Sequence, residues 1–136
     1  MVKITVEYQG DLHCLATHGP SGKTLETDAP VDNQGRGESF SPTDLVATAL
    51  GTCMATVMGI QARTLGVDIK GIQIVVEKEM SADRPRRIVR LPVLLRMPAG
   101  IPEKHRATFE RAAATCPVHH SIDPAIDSPL HFIWPE

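Results

Sequence analysis

One run of the chain, from Ser41 to Gly66, constrains what this sequence can fold into more than any other. Ser41 suits a helix N-cap and Pro42 suits the first helical position, where its missing N–H costs nothing. Asp44 then falls at the third helical position, where a carboxylate favours the positive end of the helix dipole. The pattern continues to about Leu65, and Gly66 supplies a C-terminal stop, which predicts a helix of about 36 Å. Leu45, Val46, Ala49, Leu50, Cys53, Met54, Val57, Met58 and Ile60 cover much of its circumference, so the helix is expected to be enclosed on several sides. A domain of this size does not enclose such a helix unaided.

The rest of the chain reads as strands and one further helix. Val2, Ile4, Val6 and Tyr8 alternate with polar residues, and Gln9-Gly10-Asp11 is a turn signal before a second strand at 12–17. A third strand at 23–28 leads into a polar, glycine-containing loop at 29–40 that carries Arg36 and Glu38. Beyond the helix, 69–80 and 87–97 read as a long hairpin, and Pro92 points to a bulge or an edge position. A second helix starts at Pro102-Glu103 and runs to about Thr115, and 129–134 reads as a last strand. The expected fold is α+β, a single domain over 1–136 in the order βββ-α-ββ-α-β, with no internal repeat.

Composition removes several function classes. The 136 residues carry 14 Lys and Arg against 16 Asp and Glu, for a net charge of -2. These charges are scattered, and aromatic residues make up 4%, so neither an electrostatic footprint nor a stacking platform for nucleic acid is present. The first residues alternate rather than form an apolar signal core, which predicts a cytoplasmic protein. The apolar stretch 45–60 is broken by threonines and glycines and is shorter than the roughly 20 residues of a membrane span, so no membrane partner is expected. An odd number of cysteines, three, argues for free thiols rather than a disulfide framework.

Two of those cysteines stand out. Cys53 lies inside the long helix, and Cys116 lies where Pro117 forces the backbone out of the second one. Cys14 sits in an alternating strand and reads as packing. His119 and His120 beside Cys116 suggest zinc, but Cys116-x-x-His119 supplies only two ligands and no second half-motif exists, so no metal is expected. Met54, Met58, Met80 and Met97 read as core filling.

Ser41-Pro42-x-Asp44-Leu45 leading to Cys53, with Cys116-Pro117-Val118-His119 downstream, resembles the OsmC/Ohr superfamily of osmotically inducible and organic hydroperoxide resistance proteins. The resemblance covers nearly the whole chain. It implies antiparallel sheets around a long central helix in an intertwined homodimer, with Cys53 as peroxidatic and Cys116 as resolving thiol. It also implies a hydroperoxide as substrate, no bound cofactor, and an external dithiol reductant, often a dihydrolipoyl group.

The chemistry then sets a requirement. A thiolate cleaves the O–O bond, and Cys53 stands about three turns from the helix start, beyond the reach of the dipole. A cation must come from elsewhere, and Arg36 is the best candidate, because guanidinium can hold a thiolate and a peroxide oxygen with directed hydrogen bonds. Family members place a glutamate after the proline to orient the arginine, where this chain has Thr43. Glu38 and Asp44 are the substitutes at hand, although Asp44 also suits the helix terminus. Thr43 supports an alternative: a non-catalytic dimeric protein of the same fold that binds a small apolar ligand.

Overall fold

The computed structural model describes residues 1–135 and divides the chain into two compact units, Met1–Val46 and Ala47–Glu136. The first unit is an antiparallel sheet in the order β1-β2-β3, with β1 at Ile4–Tyr8, β2 at His13–His18 and β3 at Thr24–Asp28. Gly10, Asp11 and Leu12 all take positive φ in the β1–β2 turn, which the His13 N–H closes onto Gly10 O at 3.0 Å. Registers Val6↔Ala16↔Leu25 and Tyr8↔Cys14 gather Ile4, Val6, Tyr8, Cys14, Ala16 and Leu25 on one face. That face is apolar yet open, with Val6 62% and Tyr8 63% exposed, and no apolar side chain before Ala47 is buried among the described residues. Cys14, expected to be packing, is half-buried on this face.

What fixes the first unit is polar. Asp28, 5% exposed, meets His13 Nδ1 at 2.6 Å, while His13 Nε2 lies 3.2 Å from Glu26 Oε1. An imidazole with a carboxylate at each ring nitrogen uses both as donors only when protonated.

Helix α1 spans Pro42–Leu65, as the start and stop signals predict. Ser41 Oγ accepts the Asp44 N–H at 3.1 Å and Asp44 Oδ2 accepts the Ser41 N–H at 2.9 Å, a reciprocal capping box with aspartate in the acidic place. At the other end Gly66 takes φ +67°, its N–H reaches Arg63 O, and the Val67 N–H reaches Ala62 O at 2.9 Å, the Schellman arrangement. Its buried side is one ridge, Ala47, Leu50, Met54, Met58 and Ala62. Thr48, Thr52 and Thr56 face outward, with the Thr52 and Thr56 hydroxyls bonded to the preceding turn, and Ile60 is 58% exposed. By length and composition α1 would also suit a membrane span; Leu50, Met54 and Met58 are fully buried within the protein, while Leu45 and Leu65 are only partly covered.

In the second unit the expected hairpin forms as two shorter ladders. β4 at Gln73–Val76 pairs with β7 at Val93–Arg96, and β5 at Glu79–Met80 pairs with β6 at Ile88–Arg90. Pro92 falls in the break between β6 and β7, its carbonyl accepting the Glu77 N–H, rather than in an edge strand. β7 is in fact central, because β8 at Leu130–Ile133 joins its other side in parallel. The sheets are therefore antiparallel except for this one pair. Gly51 of α1 packs against β4, where an added Cβ would lie 3.1 Å from Val76 Cγ2. Helix α2, Glu103–Ala114, buries Phe109 and Ala113, and its Glu110 accepts the indole N–H of Trp134, whose ring stacks on Phe132 of β8. A short helix that the sequence reading did not separate, α3 at Pro117–Ser121, follows at once.

The His13 cluster predicts a pH dependence. Its hydrogen bond to Asp28, then that to Glu26, raises the His13 pKa above the ordinary 6.5. The stabilisation is thus complete below about pH 6.5 and lost as pH rises through the raised value. Amide exchange at Asp28 and Ala29, corrected for intrinsic rates, should accelerate between about pH 5.5 and about pH 8.5. His13→Gln should remove that dependence, whereas equal protection at both pH values would contradict it.

Candidate active site

Cys53 stands on the shoulder of the α1 ridge, one residue before buried Met54 and one after exposed Thr52, and is half-buried. Cys116 prolongs the buried stripe of α2: Phe109, Ala113 and Cys116 follow the i, i+4, i+7 spacing, and all three are 0% exposed. The helix ends at Ala114, so Cys116 itself is extended (φ -67°, ψ 151°) and serves as N-cap of α3, with Pro117 at the first helical position. Its Sγ accepts the His119 N–H at 3.4 Å.

These two packing ridges bring the thiols together. Both cysteines are free, and Cys53 lies near enough to Cys116 to raise its pKa. The Cys116 pKa is raised above its ordinary 9.0, first by burial, against the lowering effect of the His119 N–H, and then by the neighbouring Cys53 thiol and the charge it can carry. The two sulfurs differ in their surroundings: Cys53 is half-buried and Cys116 is fully enclosed.

The remaining expected site residues belong to the first unit. Arg36 lies between Gly35 and Gly37 in the loop after β3, 64% exposed, with Nη2 3.6 Å from Asp11 Oδ2. That loop is folded tightly onto the strand end. The Gly35 N–H bonds Pro30 O, the Gly37 N–H bonds Ala29 O, and a Cβ on Gly35 would fall 1.7 Å from Ala29 O. Glu38 is exposed in the same loop. Asp44 closes the capping box, and the Thr43 hydroxyl lies 3.2 Å from Ser41 Oγ. Sequence reasoning missed Asp11 as a partner of Arg36, because nothing local links the β1–β2 turn to that loop. The His119 N–H reaches Cys116 Sγ because Cys116 takes the N-cap place of α3, a position cysteine seldom fills. Among the described residues no group of three or more His, Cys, Asp or Glu side chains is placed to hold a metal ion.

The raised pKa and burial of Cys116 carry an expectation for labelling. Iodoacetamide should modify Cys53 in the native protein well before Cys116, which should react freely only after unfolding. Peptide mass mapping of a labelling time course checks this, and early modification of Cys116 would contradict the enclosed geometry.

Comparison with known proteins agrees with this architecture. Residues 35–130 match the family of OsmC-like proteins. No curated protein sequence matches the chain. A Psychrobacter arcticus 273-4 protein, provisionally named an osmotic stress induced and detoxification response protein, is 44% identical, with 98% of this chain and 96% of that one covered and a TM-score of 0.92. The organic hydroperoxide resistance protein OsmC of Legionella pneumophila shares the fold at 14% identity, covering 97% and 96% of the chains, with a TM-score of 0.77. The organic hydroperoxide resistance protein OhrB of Bacillus subtilis does so at 16% identity, covering 98% of each, with a TM-score of 0.72.

Proposed function

The chain belongs to the OsmC-like protein family, and from that premise we propose that it is a thiol-dependent peroxidase reducing organic hydroperoxides through Cys53 and Cys116. The observation that carries this reading is the juxtaposition of a half-buried Cys53 and a buried Cys116 whose pKa it raises. A thiol pair held this way can pass a sulfenic acid to a disulfide without large rearrangement. Relatives of the same fold are named for organic hydroperoxide resistance, which supports the substrate class.

The chemistry is a two-electron oxidation in two steps. Cys53 thiolate attacks the terminal peroxide oxygen; the O–O bond breaks, an S–OH forms, and the alkoxide leaves as alcohol after taking a proton. Cys116 then attacks the Cys53 sulfur, forming the S–S bond and releasing the hydroxyl as water. An external dithiol, such as a dihydrolipoyl group, reduces the disulfide by exchange. Arg36 is assigned the cation that stabilises the thiolate and the departing oxygen, with Glu38 or Asp44 orienting it. No resident cofactor enters this cycle.

Thr43 favours a second reading. Its hydroxyl lies in the helix cap where family members carry a glutamate, and a protein lacking that carboxylate could keep the fold as a non-catalytic dimer that binds a small apolar ligand.

A homodimer belongs to both readings. The face bearing Ile4, Val6, Tyr8 and Leu25 is apolar and open, in a unit with no buried apolar side chain of its own, and a second copy is the proposed cover. Sedimentation should report a dimer, and Val6→Asp should shift it towards monomer. A monomeric wild type would contradict the assignment.

Steady-state reduction of cumene hydroperoxide with dihydrolipoamide separates the functional readings. Cys53→Ser should abolish turnover, Cys14→Ser should leave it unchanged, and Arg36→Ala should lower kcat/KM by roughly 10²-fold. Turnover that survives Cys53→Ser, or a wild type inert to the hydroperoxide, would favour the binding protein.

A further inference from the structure

The peroxidase cycle leaves one proton unaccounted for. Cys116 attacks as thiolate, yet it is 0% exposed, so bulk water cannot take that proton directly. One unused polar atom belongs to the residue already touching its sulfur. His119 donates its backbone N–H to Cys116 Sγ at 3.4 Å, and its ring atom Nδ1 is buried with no hydrogen-bond partner among the described residues. A buried ring nitrogen without a partner is a cost that folding normally avoids, and such atoms mark groups kept for chemistry.

We propose that His119 is the proton acceptor for Cys116 during disulfide formation. The inference rests on the thiol cycle above and adds a participant to it. Nδ1 is the ring nitrogen nearer the main chain, and the His119 amide fixes that main chain against Sγ. A turn of the ring then brings Nδ1 to the thiol, as is common for catalytic hydrogen bonds that tighten only in the reacting state. When Cys53 becomes S–OH, the Cys116 proton moves to neutral His119, the new S–S bond forms, and the Cys53 S–O bond breaks. The imidazolium returns the proton to the departing hydroxide, and water leaves. One sulfur is oxidised, the other reduced, and His119 ends neutral.

Two titratable neighbours of His119 are Cys116, whose Sγ accepts its N–H, and His120, whose ring centroid lies 6.4 Å away at 70°. His120 is exposed, which makes it the natural control.

The test is a rapid-quench course on fully reduced protein with one equivalent of cumene hydroperoxide, and in parallel with diamide, read by mass with dimedone trapping. Wild type, His119→Asn, His119→Gln and His120→Asn are compared. In both His119 variants Cys53 sulfenic acid should form at the wild-type rate, while the disulfide forms roughly 10²-fold more slowly. The disulfide step should lose the imidazole limb of its pH profile and recover in part with added imidazole, neither of which a purely structural role would produce. His120→Asn should match wild type. Diamide activates Cys53 without peroxide, and Cys116 then displaces the reduced hydrazine, so the His119 effect is read even if hydroperoxide fails. Wild type inert to hydroperoxide but closed by diamide would therefore fell the peroxidase reading alone. Disulfide formation at wild-type rate in both His119 variants with either oxidant would overturn the proposal.

Discussion

The packing that sets buried Cys116 beside half-buried Cys53 is the constraint on which the rest of the second unit converges. It joins two helices whose buried ridges are otherwise conventional packing. Leu50, Met54 and Met58 set the rotation of α1 so that Cys53 falls at the edge of its buried side. Phe109 and Ala113 do the same for α2, which delivers Cys116 just past the helix end. Gly51 permits close approach of α1 to Val76 on β4, and Trp134 ties β8 to α2 through Glu110. Packing of methionines, leucines and one phenylalanine thus decides which thiol is open and which is enclosed. The proposed cycle uses that asymmetry, with the more open thiol as nucleophile and the enclosed one as resolver.

The first unit is built by a different balance. Its sheet has an apolar face with nothing of its own to bury it, so local order depends on polar interactions. The His13 clamp on Asp28 and Glu26 lies beside the point where β3 gives way to the Arg36 loop, whose glycines bond back to Ala29 and Pro30. The capping box of Ser41 and Asp44 then starts α1. Arg36 is thereby carried on a loop whose base is well determined while its own side chain stays open to a loose pair with Asp11.

Where the sequence was legible, the determinants were local. Ser41, Pro42, Asp44 and Gly66 define both ends of α1 because caps act within a few residues, and the alternation of Ile4, Val6 and Tyr8 gives β1 for the same reason. Cys53 and Cys116 could be singled out from motif and helix position. Their contact could not be read from spacing, because it depends on how α1 and α2 pack. The division of the expected hairpin at Glu77 and Pro92, the parallel pairing of β8 with β7, and the Asp11–Arg36 pair are likewise set by partners distant in sequence. Pro117 was read as a helix stop, which it is, but it also opens α3, and that second role is what sets His119 against the Cys116 sulfur.

The account stands most directly on a single-turnover stoichiometry. Reduced protein is mixed with one equivalent of an organic hydroperoxide, without reductant, and alcohol released and free thiols lost are counted together. The account predicts one alcohol per chain with the loss of two thiols, both mapping to Cys53 and Cys116, and Cys14 untouched. Hydroperoxide recovered intact with all thiols free, or oxidation that maps to Cys14, would contradict it.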